Sequence, residues 1–322
     1  MTSRCGRTAA LLLLLSAVPL ALIASIYRSV GGYEYRGAGW FRECVKWDSS
    51  SDRFLVSAFT SGSIVEIPVH AGSELEERTV LFDADVAGNW SLGIAVDRRR
   101  SRLLVVYADV LGLTYGGVAA YDPRSWERSF LTQLAGQDGE KSFADDVAVD
   151  EDGNAYVTDA KANKIWKIGL NGELLSVIRS EVFVQRKEWY YNFVGLNGIV
   201  YHPSGFLLVI HTASGHLFKV DIASEKVTMV NVNGSLLMGD GLELVSPTKL
   251  AVAGSLSSKL VESSDDWNTA FTTARYIGPL HRIATSATVK DGKVYLNHLI
   301  GGGLWKNTHL ITEAAFTPLN SI

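Results

Sequence analysis

One phrase recurs along the chain and limits what it can become. Phe143 to Asp159 reads FADDVAVDEDGNAYVTD: two carboxylates, an alternating apolar run, a turn at Asp152-Gly153 and a second apolar run. That is the pattern of an inner strand, a tight turn and a second strand, and the Asp-Gly pair predicts a two-residue hairpin. The phrase returns as ECVKWDSSSDRFLVS from Glu43, LGIAVDRRRSRLLVVY from Leu92 and NGIVYHPSGFLLVIHT from Asn197. It returns again as DGLELVSPTKLAVA from Asp240 and ATSATVKDGKVYLNH from Ala284. The copies are spaced by about 48 residues, the length of one four-stranded blade, so the pattern predicts an all-β, six-bladed β-propeller with antiparallel blades.

The rest of the chain fits that expectation. Later strands of the blades fall at Ser63 to Val69, Arg78 to Ala84, Val118 to Pro123, KIWKIG, ELLSVIR, HLFKVD and KLVESS, with a second tight turn at Asn171-Gly172. The expected division is a leader over residues 1–25, a lead-in over 26–42 and the propeller over 43–322. Closing the ring with strands from both ends would remove its exposed edges. The lead-in, LWKNTHLI and AAFTPL all remain candidates for that role.

Arg4 and Arg7 precede an apolar run from Ala9 to Ser25, a charged region followed by a hydrophobic one. The run reads as a signal peptide or an uncleaved signal anchor. It directs the chain to the secretory pathway: extracellular, vacuolar or endomembrane lumen. Two sequons, Asn89-Trp90-Ser91 and Asn233-Gly234-Ser235, add glycosylation as an expectation. The net charge of −4 comes with no basic patch, which argues against a nucleic-acid partner. A membrane enters only through the leader, and the chain is expected to be a monomer acting on a small molecule. Cys44 stands alone once Cys5 leaves with the leader, and it reads as a small core residue.

In a propeller ring the first strand of each blade lines the central channel, and its opening residue stands at one mouth. Those positions are Glu43, Leu92, Asp145, Asn197, Asp240 and Ala284 or Thr285. Four of them carry side-chain oxygens, and none carries sulfur or imidazole. Carboxylates converging on one axis repel one another strongly in a partly dry channel. A bound cation removes the repulsion, and an all-oxygen set suits calcium best, with magnesium, manganese or zinc as alternatives. The competing reading is that these residues cap strands or bind channel water. Strict alternation places Asp146 away from the axis. The link Phe183 to Val194 holds Trp189, Tyr190 and Tyr191, which form either an apolar lid or outside packing on blade three.

With these residues in place the sequence resembles the senescence-marker-protein, gluconolactonase and regucalcin-like family of propellers. The likeness covers nearly all of the chain after the leader. It rests on ExxxWD at Glu43 to Asp48, the DDVAVDxDGxxYVTD stretch, NGIxxxPSG at Asn197 to Gly205 and GDGL at Gly239 to Leu242. It implies one divalent metal held by Glu43, Asp145, Asn197 and Asp240, with Asp240 also acting as general base in hydrolysis of a lactone or related ester. Two residues depart from the family. Asp145 stands where an Asn is usual, and Phe143 stands where its sugar lactonases carry an Arg. The second departure points to a more apolar substrate.

Two rivals stand beside this reading. One is the condensation chemistry of strictosidine synthase relatives, which lack the metal ligands. The other is a non-enzymatic binding propeller of the NHL kind. A serine nucleophile has no support, because no GxSxG is present. His211 and His298 read as packed or solvated strand-end residues, His202 as exposed in its turn, and Asp159 as satisfying a turn.

Overall fold

A computed structural model describes residues 31–69, 75–135, 139–184, 193–278, 283–302 and 307–319. The leader and Trp189, Tyr190 and Tyr191 lie outside the described residues. Six antiparallel sheets form the blades of a propeller. Their first strands are Val45–Asp48, Trp90–Asp97, Ala144–Val149, Leu196–His202, Gly239–Ser246 and Ala284–Lys290. Each first strand neighbours the next around the ring, and the last returns to the first.

The ring closes with the lead-in. Gly32–Arg36 pairs antiparallel with Thr308–Glu313 and becomes the outermost strand of blade six. Blade six therefore joins both ends of the described chain, and its edge is covered further by Leu75–Glu76. Thr317–Pro318 instead pairs with the outer strand of blade five, Thr269–Tyr276.

The hairpins depart from expectation. Asp150 to Asn154 makes a five-residue connection closed by Asp150 N–H to Asn154 O at 3.0 Å, and only Gly153 takes positive φ (90°). The connection from Gly169 to Glu173 behaves alike, with Gly172 at 93°. Asp152 and Asn171 stay at negative φ, so neither turn is the two-residue primed type, which needs positive φ at both central positions or at the first. The acceptor side chain of Asp150 favours the longer loop, because it caps Asn154 N–H at 2.8 Å.

On that hairpin side an aspartate and an arginine recur. Asp48 accepts from Arg53 at 3.0 Å, and Arg53 reaches forward to the carbonyl of Pro123 in blade two at 2.7 Å. Asp97 accepts from Arg102 at 2.8 Å, and Arg102 reaches Gly153 and Leu170 in blade three. His202 serves the same end for blades four and five. It is buried rather than exposed, stacked on Phe206 and bonded to Pro247 O at 2.8 Å. Burying a forked cation against fixed carbonyls satisfies both partners and ties neighbouring blades together.

At the opposite mouth, five blades share one irregularity. Between the first two strands the pairing jumps from Ser91 to Ile94, Ala144 to Val147, Leu196 to Ile199, Gly239 to Leu242 and Ala284 to Ser286. Each jump holds one residue more on the inner strand than on its partner, which is a β-bulge. In three blades the bulge ends in glycine, and each of these glycines abuts the bulge of a following blade. A Cβ on Gly93 would lie 2.3 Å from Asp146 Oδ1, one on Gly198 would lie 2.2 Å from Asp240 O, and one on Gly241 would lie 2.6 Å from Thr285 O. Gly198→Ala should therefore cost about 1–3 kcal/mol, the range for overpacking a closed site. Urea unfolding measures it: an unchanged midpoint would mean the inner strands are not packed this tightly.

Candidate metal centre

The bulges aim the mouth residues. The extra residue turns Asp145, Asn197 and Asp240 towards the axis, and the backbone around them is pinned by second-strand side chains. Thr158 Oγ1 donates to Asn197 O at 2.7 Å, and Asp146 N–H donates to Thr158 Oγ1 at 3.1 Å. In blade one the strand stops at Val45, and Glu43 is held by its own N–H to Ser57 O at 3.2 Å. Thr285 Oγ1 and Asn297 Nδ2 both donate to Glu43 O.

The four predicted side chains interact there in part. Asn197 hydrogen-bonds Asp240, and Glu43, Asp145 and Asp240 feel one another's charge. Asp145 and Asn197 are buried, whereas Glu43 and Asp240 keep part of their surface open at the mouth. Burial raises the Glu43 carboxyl well above its usual range, and Asp145 and Asp240 raise it further. Asp145 is raised in the same way, by burial first and then by Asp240 and Asp146. Burial and then Asp146 push Asp240 up to about 8, against the hydrogen bond from Asn197.

The donor chemistry suits a hard cation. All four groups offer oxygen, and Glu43 Oε2 and Asp145 Oδ2 are buried with no hydrogen-bond partner among the described residues. The spacing is looser than the chemistry. Among the described residues no three His, Cys, Asp or Glu side chains stand close enough to hold a metal ion as placed.

Three further charges belong to the site. Asp146 does not turn away from it, because the bulge breaks the alternation on which that expectation rests. Its Oδ1 accepts from Val147 N–H at 2.8 Å and its Oδ2 from Ile199 N–H at 3.2 Å, so it links blades three and four. Burial pushes it up to about 6, with Lys46 and the two N–H groups resisting. Lys46 reaches over blade six to Glu243 at 2.6 Å and also donates to Ala287 O at 3.2 Å. Burial works against the ammonium charge, but Glu243 outweighs it and holds the proton more firmly than usual.

Other residues fall as their sequence context implied. Cys44 is buried, and burial with the neighbouring Glu43 keeps its thiol protonated. Asp159 accepts from Phe143, Lys161 and Ala162 N–H and from Ser142 Oγ. His211 is buried at its strand end, pushed down to about 4 by burial and then His216, and His298 bonds Thr312 Oγ1 at 2.8 Å. Neither histidine is among the groups that couple to the carboxylates.

No protein-family model matches the sequence, and no curated protein matches it. Solved structures do share its shape. The Malassezia sympodialis allergen Mala s 1 superposes with a TM-score of 0.67 at 17% identity, over 84% of this chain and 92% of that one. A virginiamycin B lyase from Staphylococcus aureus, inactivated by substitution and bound to quinupristin, gives 0.55 at 11% identity, over 85% and 82%. A nidogen/laminin complex gives 0.53 at 14% identity, over 74% and 83%. The chain is a six-bladed β-propeller. At these identities the likeness speaks for the fold, which here serves both an enzyme and a binding protein.

A carboxyl whose folded pKa is raised stabilises the fold while protonated. Its contribution is full below the unfolded value near 4 and is lost as pH rises through the folded value. For Asp146 and Asp240 that window runs from about pH 4 to about pH 8. In chelator, the melting temperature should fall from pH 5 to pH 8. Asp145→Asn, which removes one of the repelling charges, should raise stability at pH 8 by at least about 1 kcal/mol. A flat profile, or an unchanged variant, would show that the carboxyls are not crowded together.

Proposed function

We propose that the chain is a divalent-cation-dependent hydrolase of a lactone or related ester. The observation that supports it is the gathering of three raised carboxyls and an amide at one mouth, two of their oxygens buried without donors among the described residues. Glu43, Asp145, Asn197 and Asp240 would hold the cation, calcium by preference for an all-oxygen set. Binding would require the side chains to draw in from the looser spacing described above. When bound, the cation would compensate the carboxylates and polarise the substrate carbonyl.

The chain's own groups supply the rest. Asp240 takes a proton from the attacking water as its oxygen bonds to the carbonyl carbon, and returns that proton to the alkoxide as the C–O bond breaks. Asn197, bonded to Asp240, holds that carboxylate in one orientation. Without a cation Asp240 is largely protonated at neutral pH and cannot act as a base. Lys46, paired with Glu243, leaves positive charge beneath the site and eases the cost of keeping Glu43 ionised. Read as a signal peptide or signal anchor, residues 1–25 would direct this activity to the secretory pathway.

A second reading is a non-enzymatic binding propeller. The likeness to nidogen, seen in a complex with laminin, favours it at the level of fold alone. Metal content separates the two readings, since a scaffold needs no ion on its axis.

The full chain, purified without chelator, should contain about one divalent cation and hydrolyse lactones. Asp240→Asn should lower kcat by about 10²-fold or more, the usual worth of a positioned base. Glu43→Gln should weaken cation binding measured by calorimetry. Turnover that survives both chelation and Asp240→Asn would remove the proposal.

A further inference from the structure

Exposed large apolar side chains are concentrated on one face. Trp40, Phe41, Phe82, Leu111, Phe193 and Leu256 all stand in blade-to-blade links or second-to-third-strand loops, which open on the mouth that holds Glu43 and Asp240. Among the described residues the first-to-second-strand hairpins on the opposite face carry no exposed large hydrophobic, and the third-to-fourth-strand hairpins there carry Leu170. The chain enters the ring on that opposite face: Gly31 accepts from Glu313 N–H, and Glu313 pairs with Lys293 beside the last hairpin. The apolar face thus lies opposite Gly31, where the described chain begins.

Part of this face is an ordered wall. Phe41 packs edge-on to Phe59, with centroids 6.4 Å apart, and Phe59 packs edge-on to Trp90 at 4.6 Å. Phe41 lies two residues before Glu43, and Trp90 two residues before Leu92, the mouth position of blade two. Phe59 leans with Phe143 on the core cluster between blades two and three. The mouth therefore has two halves, oxygens contributed by Glu43, Asp145, Asn197 and Asp240, and rings contributed by blades one and two. Hydroxyl groups set against these rings would lose water without gaining partners, which costs on the order of 1–3 kcal/mol each. Methylenes there would gain.

We propose that the Phe41–Phe59–Trp90 wall receives an alkyl or aryl arm of the substrate, so that the site takes apolar lactones or esters and rejects polyhydroxylated ones. Which bond is cleaved rests on the hydrolase reading; binding of the arm does not.

The test uses the full-length chain and the neutral fluorophore N-phenyl-1-naphthylamine. The probe should bind saturably and be displaced by δ-dodecalactone but not by glucono-δ-lactone. Phe41→Ser should raise its dissociation constant at least tenfold, while Phe271→Ser, at a still more exposed residue on the outer strand of blade five, should change it less than twofold. Trp90→Ser repeats the test from the other end of the wall. On the calcium-loaded chain, Phe41→Ser should lower the kcat/KM ratio of δ-dodecalactone to δ-valerolactone at least tenfold, mainly through KM. If no variant, nor the parent, turns over any lactone but Phe41→Ser still loses the probe, the hydrolase reading falls and the wall stands. If lactones are turned over while both serine variants keep probe affinity and chain-length preference, the wall falls and the hydrolase reading stands.

Discussion

Six strands cannot converge on one axis without crowding, and the mouth of this channel is built around that constraint. An inner strand that kept strict pairing would bring its side chains against the neighbouring backbone. Five blades instead admit one extra residue at the mouth. Three of them end that bulge in a glycine that leaves no room for a Cβ against the next blade. Side-chain hydroxyls and amides from neighbouring strands then hold the displaced backbone, as Thr158 holds Asn197 and as Thr285 and Asn297 hold Glu43. The same device that relieves the crowding re-aims the residue before the glycine, into the core for Leu92 and into the carboxyl cluster for Asn197 and Asp240.

That geometry carries an electrostatic consequence. In blades two, four and five the bulge places one side chain and one glycine, but in blade three it places two carboxylates, Asp145 and Asp146. They do not share a role. Asp146 is a clamp: its two oxygens take one N–H from its own strand and one from blade four, and Lys46 lies near enough to lower it. Asp145 has an oxygen with no donor among the described residues. A buried carboxyl in that state is protonated or sits beside positive charge. Lys46 offers its charge first to Glu243, so little of it reaches Asp145, which is raised by burial and by the neighbouring acids Asp240, Asp146 and Asp159.

How much of this was readable from the chain follows from the bulge. The repeat length and the alternating runs gave the six blades, and the mouth positions were found because each phrase begins with the residue the bulge displaces. Glu43, Asp145 and Asp240 feel one another's charge and Asn197 hydrogen-bonds Asp240, but among the described residues no three acidic, His or Cys side chains stand close enough to hold an ion. The clamp and the charged pair were missed for one reason. Alternation predicts that faces repeat every second residue, but one inserted residue shifts the repeat to three. Glu243 follows Asp240 by three across the bulge of blade five, an offset that points to it, and its ion pair with Lys46 in blade one shows only in the structure. The hairpins misled in another way. Asp-Gly and Asn-Gly suggested two-residue turns, yet a polar side chain upstream, Asp150 in blade three, caps a longer loop and leaves only the glycine at positive φ.

Propellers of this shape serve catalysis and docking alike, so the fold does not choose between them. The cost of the site bears on the choice. A docking surface gains nothing from burying Glu43, Asp145 and Asp240 within reach of one another's charge, since each must be protonated or repelled when nothing else is bound. Apolar residues at the same positions would avoid that cost, as Leu92 does in blade two by joining the core between blades two and three. Crowding of this kind is what a site tolerates when a ligand of opposite charge completes it. The unequal burial of the carboxyls agrees with that. Asp145 lies deep and unpaired, while Glu43 and Asp240 remain open at the mouth, where a cation and a substrate would both have to enter.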